Sequence, residues 1–238
     1  HGDVAAAIGD QLGFDLDTDQ RDILDAIYGY RRDRPSVPAL FEVGVVAPRQ
    51  NIKTSTLMVA AATDLFVFRW PLHVWTSHLF RTSRNTFLDL VRRIDANDEL
   101  RRMCKRPRMA NNQEAVALKT GEEIQFYSRS KGGGRGITAP RVTLDEALFL
   151  AQQDMGALMP TMATIRGAQV RYASSGGLVT SAVLRQVRDR GRSGIDPSLG
   201  YWEWGAERRE CALPECSHAV GVSGCALDDR ELWWQANV

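Results

Sequence analysis

Short apolar runs alternate along this chain with longer segments in which apolar residues recur at helical spacing. The short runs are typical of buried β-strands, and the longer segments are typical of amphipathic α-helices. The segments that predict strands are residues 41–46, 72–76, 115–119, 122–128, 142–144, 168–174 and 199–204. The segments that predict helices are residues 19–30, 54–68, 79–103, 152–165 and 179–190. Thr18 or Asp19 is the expected N-cap of the first of these helices.

This alternation of strands and helices predicts an α/β fold. Successive βαβ units favour a mainly parallel central sheet flanked by helices, and such sheets bind ligands at the carboxyl ends of their strands. Two irregular features are expected, a β-hairpin around Thr120 and Gly121 and a proline-bearing loop over residues 31–38. Pro160 is expected to break or kink the helix that contains it.

The composition excludes several classes of protein. Of the 238 residues, 44% are hydrophobic, which allows a sizeable core and argues against a disordered chain. The formal net charge is only +1, so the chain is not uniformly basic, although local basic patches are allowed. No apolar run approaches the length of a bilayer-spanning helix, and residues 1–10 do not resemble a secretory signal. We therefore expect a soluble, cytoplasmic protein without a membrane partner.

Residues 47–54 (APRQNIKT) follow the first core strand and begin a helix, which is the context that a phosphate-binding loop requires. In a Walker A loop, Lys53 reaches the β- and γ-phosphates and the Thr54 hydroxyl binds Mg²⁺. Ala47 and Ile52 stand where glycines are usual. Because a β-branched residue rarely adopts positive φ, the loop must take an unusual path or use permitted angles throughout. The alternative is an ordinary strand–loop–helix junction with a surface lysine.

A later strand ends in two adjacent acids, Asp145 and Glu146. In a Walker B motif the first acid binds Mg²⁺, and the second positions and deprotonates the attacking water. The alternative is a helix start with acidic residues, which a helix N-terminus favours. The acids and the phosphate loop together, at a separation that fits intervening βα units, favour nucleotide hydrolysis.

Motifs along nearly the whole chain resemble the terminase large subunits of tailed phages, especially those of actinobacterial hosts. They are, in order, APRQNIKTS, WTSHLFRTSRNTFLDL, GGGRGI, VTLDEA, YASSGG, YWEWG and ELWWQAN. The resemblance implies a RecA/ASCE-like P-loop ATPase domain that couples ATP hydrolysis to translocation of double-stranded DNA into a procapsid. It also implies a nuclease domain of RNase H-like fold, whose clustered acids this sequence lacks, so we expect no nuclease activity from this chain.

The same resemblance assigns roles to single residues. Gln20 matches a glutamine that reads adenine, because its amide offers both a donor and an acceptor; the alternative is an exposed helical glutamine. Ser174, Ser175 and Gly176 match a coupling motif that senses the γ-phosphate and relays its loss. The residues expected to bind the nucleotide are Gln20, Arg49, Gln50, Asn51, Ile52, Lys53, Thr54, Ser55, Asp145, Ser174 and Ser175. Those expected to act in catalysis are Glu146, Lys53 and Arg135, while Thr54 and Asp145 are expected to bind Mg²⁺.

A glycine-rich, basic segment before the two acids contains Arg135, the preferred candidate for an arginine finger. In related packaging motors an arginine in this region acts on the nucleotide of the neighbouring subunit. A guanidinium stabilises charge on the transferring phosphoryl group, and glycines allow its loop to cross an interface. Arg129 and Lys131 are competing candidates, and the alternative is an exposed loop arginine.

The resemblance also implies partners. They are double-stranded DNA, the portal, the small terminase subunit and further copies of this chain in a homo-oligomeric ring, expected to be a pentamer. The expected location is the cytoplasm of the infected bacterial host rather than the mature virion. The basic stretch 101–108 can neutralise DNA phosphates without reading bases, and a solvated helix end is the alternative. For the second basic stretch, residues 185–192, three alternatives stay open: contact with DNA, with the next subunit, or only with water. Two other functions stay open: another RecA-like DNA translocase or helicase, and an inactive nucleotide-binding module with Ile52 as its lesion.

Four residues that often bind metals, Cys211, Cys216, His218 and Cys225, lie within fifteen residues. Three thiolates and one imidazole suit a tetrahedral structural zinc site, although the C-x4-C-x-H-x6-C spacing is not that of a standard zinc finger. Free thiols or one disulfide are the alternatives. The cluster lies in residues 196–238, which we expect to form a small C-terminal lid or linker after an ATPase core of residues 1–195.

Overall fold

The structure, a computed structural model, describes residues 2–48, 52–110, 113–129, 138–205, 211–212, 215–218 and 221–231. The helices are α1 (Gly2–Gln11), α2 (Thr18–Ile27), α3 (Lys53–Phe66), α4 (Phe80–Asp95), α5 (Asp98–Met103), α6 (Gln152–Ala163) and α7 (Ala182–Ser193). The strands are β1 (Tyr30–Arg31), β2 (Arg34–Pro38), β3 (Glu42–Val46), β4 (Leu72–Ser77), β5 (Glu114–Ala117), β6 (Glu123–Ser128), β7 (Arg141–Leu144), β8 (Gln169–Ser174) and β9 (Leu199–Glu203).

Seven strands form one central sheet in the order β5-β6-β4-β7-β8-β3-β9. Neighbouring strands are parallel except β5 and β6, which form the expected antiparallel hairpin. The predicted α/β class and mainly parallel sheet are therefore confirmed. β8 lies between β3 and β7, so one strand separates the strand before the phosphate loop from the strand before the two acids.

Helices cover both faces of the sheet, which explains why its central strands are apolar runs rather than alternating patterns. On one face, α1 to α5 contribute core residues such as Leu24, Leu57 and Phe87. On the other face, α6 and α7 contribute residues such as Leu158 and Val187. β3 and β8 are buried along their whole length between these two layers.

A buried ionic cluster links α3 to three strands of the sheet. The Asp64 carboxylate in α3 accepts hydrogen bonds from the Arg171 guanidinium at 2.7 and 3.2 Å and from the Tyr28 hydroxyl at 3.1 Å. His73 Nδ1 lies 3.0 Å from the same carboxylate, and Arg141 Nε lies 3.5 Å from it. Burial by itself raises the pKa of Asp64, but the two guanidiniums and the histidine reverse this effect and hold the pKa well below its usual value. The carboxylate is therefore charged and compensates two buried cations.

The structure corrects several predicted element ends. Asp17, and neither Thr18 nor Asp19, is the N-cap of α2. Its carboxylate accepts the Gln20 N–H at 2.8 Å, and Gln20 Oε1 accepts the Asp17 N–H at 3.1 Å. This reciprocal arrangement is a capping box, which fixes where the helix begins. Residues 31–38, predicted to be a loop, are mostly strand: residues 34–38 form β2, which pairs antiparallel with β1, and residues 32–33 form the turn between them.

The single helix predicted over residues 79–103 is two helices. The Asn97 side chain accepts the N–H groups of Glu99 and Leu100, so it caps α5 and separates it from α4. Pro160 lies within α6, and the helix is not broken there. β9 pairs with β3, so the central sheet extends beyond the boundary expected at residue 195.

Candidate functional site

The carboxyl ends of β3, β4, β7 and β8 meet at one edge of the sheet. Two backbone hydrogen bonds connect the segments that follow them. The Ala47 N–H donates to Ser174 O at 3.0 Å, and the Asp145 N–H donates to Thr76 O at 2.8 Å. The first bond holds the start of the phosphate loop against the end of β8, and the second holds the two acids against the end of β4.

Lys53 is the first residue of α3, and only 9% of its surface is exposed. Its Nζ donates to Pro48 O at 2.6 Å and to Ala47 O at 3.2 Å. The ammonium group therefore lies inside the turn that follows β3, where it can neutralise an anion bound by that turn. A surface lysine, the alternative that the sequence left open, is excluded.

Ile52 adopts φ −36° and ψ −26°, in the right-handed helical region. The loop therefore needs no positive φ at this position, and the missing glycine causes no backbone strain there. Ser55 Oγ donates to Ile52 O at 2.9 Å, and Thr54 is half-buried at the same helix start. Four predicted site residues lie outside the described residues: Arg49, Gln50, Asn51 and Arg135.

Asp145 is buried after the end of β7, and the Glu146 N–H donates to its Oδ1 at 2.8 Å. Burial raises the pKa of Asp145 to about 6, because desolvation disfavours a charged carboxylate, while the cations of Arg129 and Lys53 oppose the shift. An additional cation at this position stabilises the charged carboxylate further. Asp145 is therefore suited to binding a divalent ion.

The Glu146 carboxylate contacts the start of α4. Its Oε2 accepts the backbone N–H of His78 at 3.0 Å and of Leu79 at 3.4 Å, and its Oε1 accepts the Thr82 hydroxyl at 3.3 Å. Leu79, at the N-cap position of α4, supplies no side-chain cap, and the backbone N–H groups that Glu146 accepts lie just before the first turn of the helix. The Glu146 backbone is left-handed, with φ 52° and ψ 47°. Such strain in residues other than glycine is concentrated at functional sites.

Arg129, a competing candidate for the arginine finger, is a half-buried part of this site. Its guanidinium donates to four oxygens: Thr76 O and Oγ1, both at 2.8 Å, Asp145 O at 2.5 Å and Glu146 O at 3.2 Å. Burial lowers the pKa of Arg129 to about 10, although the nearby acids favour its charged form. Through Nη1 and Nη2, Arg129 holds the two acids against the end of β4, so a finger role would require it to leave these contacts.

Gln20 is buried and links α2 to the start of α3. Its Nε2 donates to Ser55 Oγ at 2.8 Å and to Thr56 Oγ1 at 3.1 Å, while its Oε1 accepts the Asp17 N–H. The alternative of an exposed helical glutamine is therefore excluded. Both ends of the amide have protein partners, so any contact with a base must share or replace one of these hydrogen bonds.

A cavity of about 440 Å³ adjoins the phosphate loop, and its walls include Gln20, Thr54, Phe14 and Arg93. The Arg93 guanidinium carbon lies 3.7 Å from the centre of the Phe14 ring. A flat aromatic and cationic wall beside a buried amide suits a planar base. No signal in the sequence indicates Phe14 or Arg93, because no local spacing connects residues so far apart in the chain.

The predicted coupling motif lies directly against the phosphate loop. Ser174 is the buried last residue of β8, and its Oγ donates to Ser175 O at 2.7 Å. Its carbonyl accepts the Ala47 N–H, the contact described above. This strand end is therefore in direct contact with the start of the phosphate loop.

Acids of the chain itself neutralise part of both basic stretches. In residues 101–108, Arg101 pairs with Asp98 at 2.7 Å and Arg108 pairs with Glu123 at 3.4 Å. In the second stretch, ion pairs join Arg188 to Asp189, Arg190 to Glu42, and Arg192 to Glu203. To contact DNA phosphates, these arginines would therefore have to share or break ion pairs within the chain.

No protein-family model matches the chain, and no curated protein matches it. Solved structures do match. The large terminase of bacteriophage HK97 superposes with a TM-score of 0.70 at 17% identity, over 94% of this chain and 43% of that chain. The large terminase ATPase domain of Thermus phage P74-26 superposes with a TM-score of 0.60 at 18% identity, over 82% of each chain. This chain has the fold of a large-terminase ATPase domain.

A third structure with this terminase fold carries a nucleotide. The large terminase of a thermophilic bacteriophage, in complex with ADP, superposes with a TM-score of 0.57 at 13% identity, over 80% of this chain and 46% of that chain. The chain thus spans less than half of this terminase and of the HK97 terminase. In the part of this chain that the structure describes, no helix is both long and apolar enough to span a bilayer.

The four predicted metal ligands near the C-terminus also come together. The ligand atoms of Cys211, Cys216, His218 and Cys225 all lie within 4.8 Å of one another. No disulfide joins any two of the four cysteines, all of which lie in the described residues. None of the four cluster residues lines the cavity beside the phosphate loop.

Proposed function

We propose that this chain is the ATP-hydrolysing motor domain of a viral DNA-packaging terminase, which moves double-stranded DNA into a procapsid. The observation that carries the proposal is the meeting of Lys53 with Asp145 and Glu146 at one edge of a parallel sheet. The electrostatic influence of Lys53 on Asp145 supports the view that both belong to one site. Further support comes from the large terminase of the thermophilic bacteriophage, which shares the fold and has been solved with ADP and with ATP-gamma-S.

ATP binding starts from the contacts of Lys53. In the described structure its ammonium group is held by the carbonyls of Ala47 and Pro48. On binding, the ammonium group turns to the β- and γ-phosphates, whose remaining charge is met by the backbone N–H groups of the phosphate loop. The cavity beside Gln20 and Phe14 receives the adenine ring.

Thr54 and Asp145 are the residues that fit a magnesium ion. Hydroxyl and carboxylate oxygens are the hard ligands that Mg²⁺ prefers, and the raised pKa of Asp145 means that a cation beside it is favourable. When bound, the ion neutralises charge on the β- and γ-phosphates. Arg129 keeps the Asp145 backbone in place for this contact.

Glu146 positions a water molecule in line with the γ-phosphorus and accepts its proton. The water oxygen forms a bond to phosphorus while the bond from phosphorus to the β–γ bridging oxygen breaks, and ADP leaves with that electron pair. Lys53 stabilises the charge on the transferring group, and Arg135 supplies a further positive charge to the neighbouring subunit. Ser174 and Ser175 relay the loss of the γ-phosphate through their contact with the phosphate loop.

This motor acts in a ring of identical subunits, a pentamer, which engages the portal, the small terminase subunit and double-stranded DNA in the cytoplasm of an infected bacterium. The proposed role of Arg135 requires such a ring, because its guanidinium acts on the nucleotide of the adjacent subunit, across the interface between the two subunits.

The test measures ATP binding and phosphate release for the native chain, Lys53→Ala and Glu146→Gln, with the exposed Lys119→Ala as a matched control. We expect Lys53→Ala to bind ATP weakly and Glu146→Gln to bind it normally, with hydrolysis reduced about 100-fold or more. Lys119→Ala should behave like the native chain.

Two other outcomes identify the competing functions. If the native chain binds ATP and hydrolyses it no faster than Glu146→Gln, the chain is an inactive nucleotide-binding module. If its hydrolysis is stimulated by single-stranded DNA and is coupled to strand separation, the chain is a helicase rather than a packaging motor.

A further inference from the structure

Cys211, Cys216, His218 and Cys225 form a cluster that the proposed ATPase does not use. Their ligand atoms lie within 4.8 Å of one another. In a tetrahedral site with Zn–S bonds of about 2.3 Å, neighbouring ligand atoms lie roughly 3.5–4 Å apart, so the cluster needs to close by only about 1 Å. We propose that these four residues bind a structural Zn²⁺ ion.

The backbone of this segment is shaped to bring the ligands together. Gly221 and Gly224 have positive φ values of 89° and 81°, and His218 has φ 53°. The Ala212 N–H donates to Gly224 O at 2.8 Å, which pairs the two backbone segments beside the first and last ligands. Positive φ is strained for histidine, and a bond from its ring to a metal offsets that cost.

Two backbone N–H groups donate to sulfurs of the cluster. The His218 N–H donates to Cys216 Sγ and the Ala226 N–H donates to Cys211 Sγ, both at 3.4 Å. Zinc binds cysteine through the sulfur as a thiolate, and these N–H groups point at the sulfurs that would carry that charge. The same Cys211 Sγ lies 3.4 Å from His218 Nδ1, which identifies Nδ1 as the ring nitrogen that faces the ion. These contacts independently indicate ligating sulfurs.

A tetrahedral ion explains the whole cluster, whereas a disulfide explains only half of it. A disulfide joins two of the three sulfurs and leaves the third sulfur and the imidazole without a shared partner. Soft sulfur ligands disfavour Mg²⁺ and Ca²⁺, and three thiolates with one imidazole are a common structural zinc set. With all four positions filled by protein, the ion has no open position for catalysis.

The zinc orders a segment that follows β9 in the sequence. Among the described side chains of residues 211–231, Cys225 is the only one that is buried, so the described part of this segment has little apolar core of its own. Metal binding can supply the folding free energy that such a segment lacks. At the end of β9 itself, the Trp204 backbone N–H donates to Val46 O at 2.9 Å, so that strand is already held by its pairing with β3.

The experiment measures zinc in the purified full chain by elemental analysis and native mass spectrometry under reducing conditions. We expect about one zinc ion per chain, and less than about a tenth of that in Cys216→Ser and Cys211→Ser. Cys104→Ser is the matched control, because Cys104 lies outside the cluster, and it should keep the metal. Cobalt substitution should give the visible bands of a tetrahedral ion and near-ultraviolet thiolate-to-metal charge transfer, both lost in Cys216→Ser.

Three results would overturn the proposal. One is a native chain that contains no zinc and shows no tetrahedral cobalt spectrum after reconstitution. Another is a zinc content that Cys216→Ser and Cys104→Ser share with the native chain. The third is a disulfide between two cluster cysteines that persists in a buffer as reducing as the cytoplasm. Alkylation followed by intact-mass measurement would detect it.

Discussion

The Glu146 carboxylate accepts the backbone N–H of His78 at 3.0 Å, so an acid after β7 binds the segment that connects β4 to α4. This contact joins the residue that we assign as catalytic base to the end of the neighbouring strand. The carboxylate also accepts the Thr82 hydroxyl, so both of its oxygens have a partner in that segment. A base held in this way is oriented before the substrate arrives, which is how enzymes reduce the cost of positioning.

Two substitutions at Glu146 separate its contact with His78 from its catalytic role. Glu146→Gln keeps a side-chain oxygen that can accept the His78 N–H, so its stability should equal that of the native chain. Glu146→Asp is shorter and loses the contact, which should cost about 0.5–1.5 kcal/mol, as for a lost hydrogen bond. Both should reduce ATP hydrolysis about 100-fold or more while ATP affinity stays within about threefold. Urea unfolding and phosphate-release assays check the two effects, and equal stability of the two variants would show that the contact with His78 contributes nothing to stability.

Asp145→Asn should stabilise the folded chain at neutral pH while abolishing hydrolysis. Burial raises the pKa of Asp145 to about 6, against about 3.9 for an unfolded aspartate. The folded state therefore binds more protons between these values, and stability falls as pH rises from about 4 to about 6. At about 1.4 kcal/mol per pKa unit, the neutral variant should gain about 3 kcal/mol above pH 6 and nothing below pH 4.

Urea unfolding at several pH values measures this difference. Asp22→Asn, an exposed residue of α2, is the matched control and should unfold like the native chain at every pH. A variant that is less stable than the native chain at neutral pH would show that Asp145 is held by compensating contacts rather than strained by burial.

Arg129→Lys should inactivate its own subunit and not its neighbour. A lysine cannot donate to the four oxygens that the Arg129 fork now contacts, so we expect a stability loss of about 2 kcal/mol and at least about tenfold slower hydrolysis. Mixed rings test on which side of a subunit interface each arginine acts. Rings that combine Arg135→Ala subunits with Glu146→Gln subunits should recover part of the ATPase activity, because the two defects lie on different sides of an interface. Rings that combine Arg129→Lys subunits with Glu146→Gln subunits should recover none, and recovery equal to that of Arg135→Ala would make Arg129 the finger.

The fold could largely be predicted from the sequence because burial dictates the composition of its strands. β3 and β8 are covered on both faces, so packing requires apolar runs that the sequence displays directly. The sequence does not predict α1, since its core residues Ala5 and Ala6 are too small to give a clear periodic pattern. The break between α4 and α5 also escapes prediction, because the cap at Asn97 interrupts a helical pattern that otherwise continues.

The site could be predicted only where its chemistry is local in sequence. Lys53 and the Asp145–Glu146 pair lie in short motifs, and the structure brings them to one edge of the sheet. Arg129 and Arg93 act through contacts with residues far along the chain, which no local spacing records. The strand order, which places β8 between the two motifs, depends on long-range pairing in the same way.

Asp64→Asn should be strongly destabilising, because it leaves the buried guanidiniums of Arg171 and Arg141 without a compensating charge. Removing one partner of a buried ion pair typically costs about 3–5 kcal/mol. Adding Arg171→Met to Asp64→Asn should restore part of this loss, since fewer buried charges then lack a partner. Urea unfolding measures the effect. The exposed ion pair of Asp33 with Arg31 is the control, and Asp33→Asn should leave stability unchanged. If Asp33→Asn and Asp64→Asn lose similar stability, burial of the Asp64 ion pair is not the cause of the loss.

Gln20 has a structural role and a proposed recognition role, and two substitutions distinguish them. Gln20→Glu preserves the capping box, because glutamate is equally suited to that position, but it loses the Nε2 hydrogen bonds to Ser55 and Thr56. Gln20→Ala loses both sets of contacts and should cost about 1–2 kcal/mol of stability. The loss of the amide donor should lower the preference for ATP over GTP about tenfold in both variants.

Competition binding of ATP and GTP to the folded variants measures that preference directly. Gln11→Ala, at the end of α1, is a matched control that changes an exposed glutamine outside the cavity. The preference depends on the difference between two affinities, so a uniform loosening of the phosphate loop cancels in the ratio. If both Gln20 variants lose stability or affinity while their preference stays native, Gln20 only connects α2 to α3. The adenine ring must then be read by other groups around the cavity, with Phe14 and Arg93 the first to test.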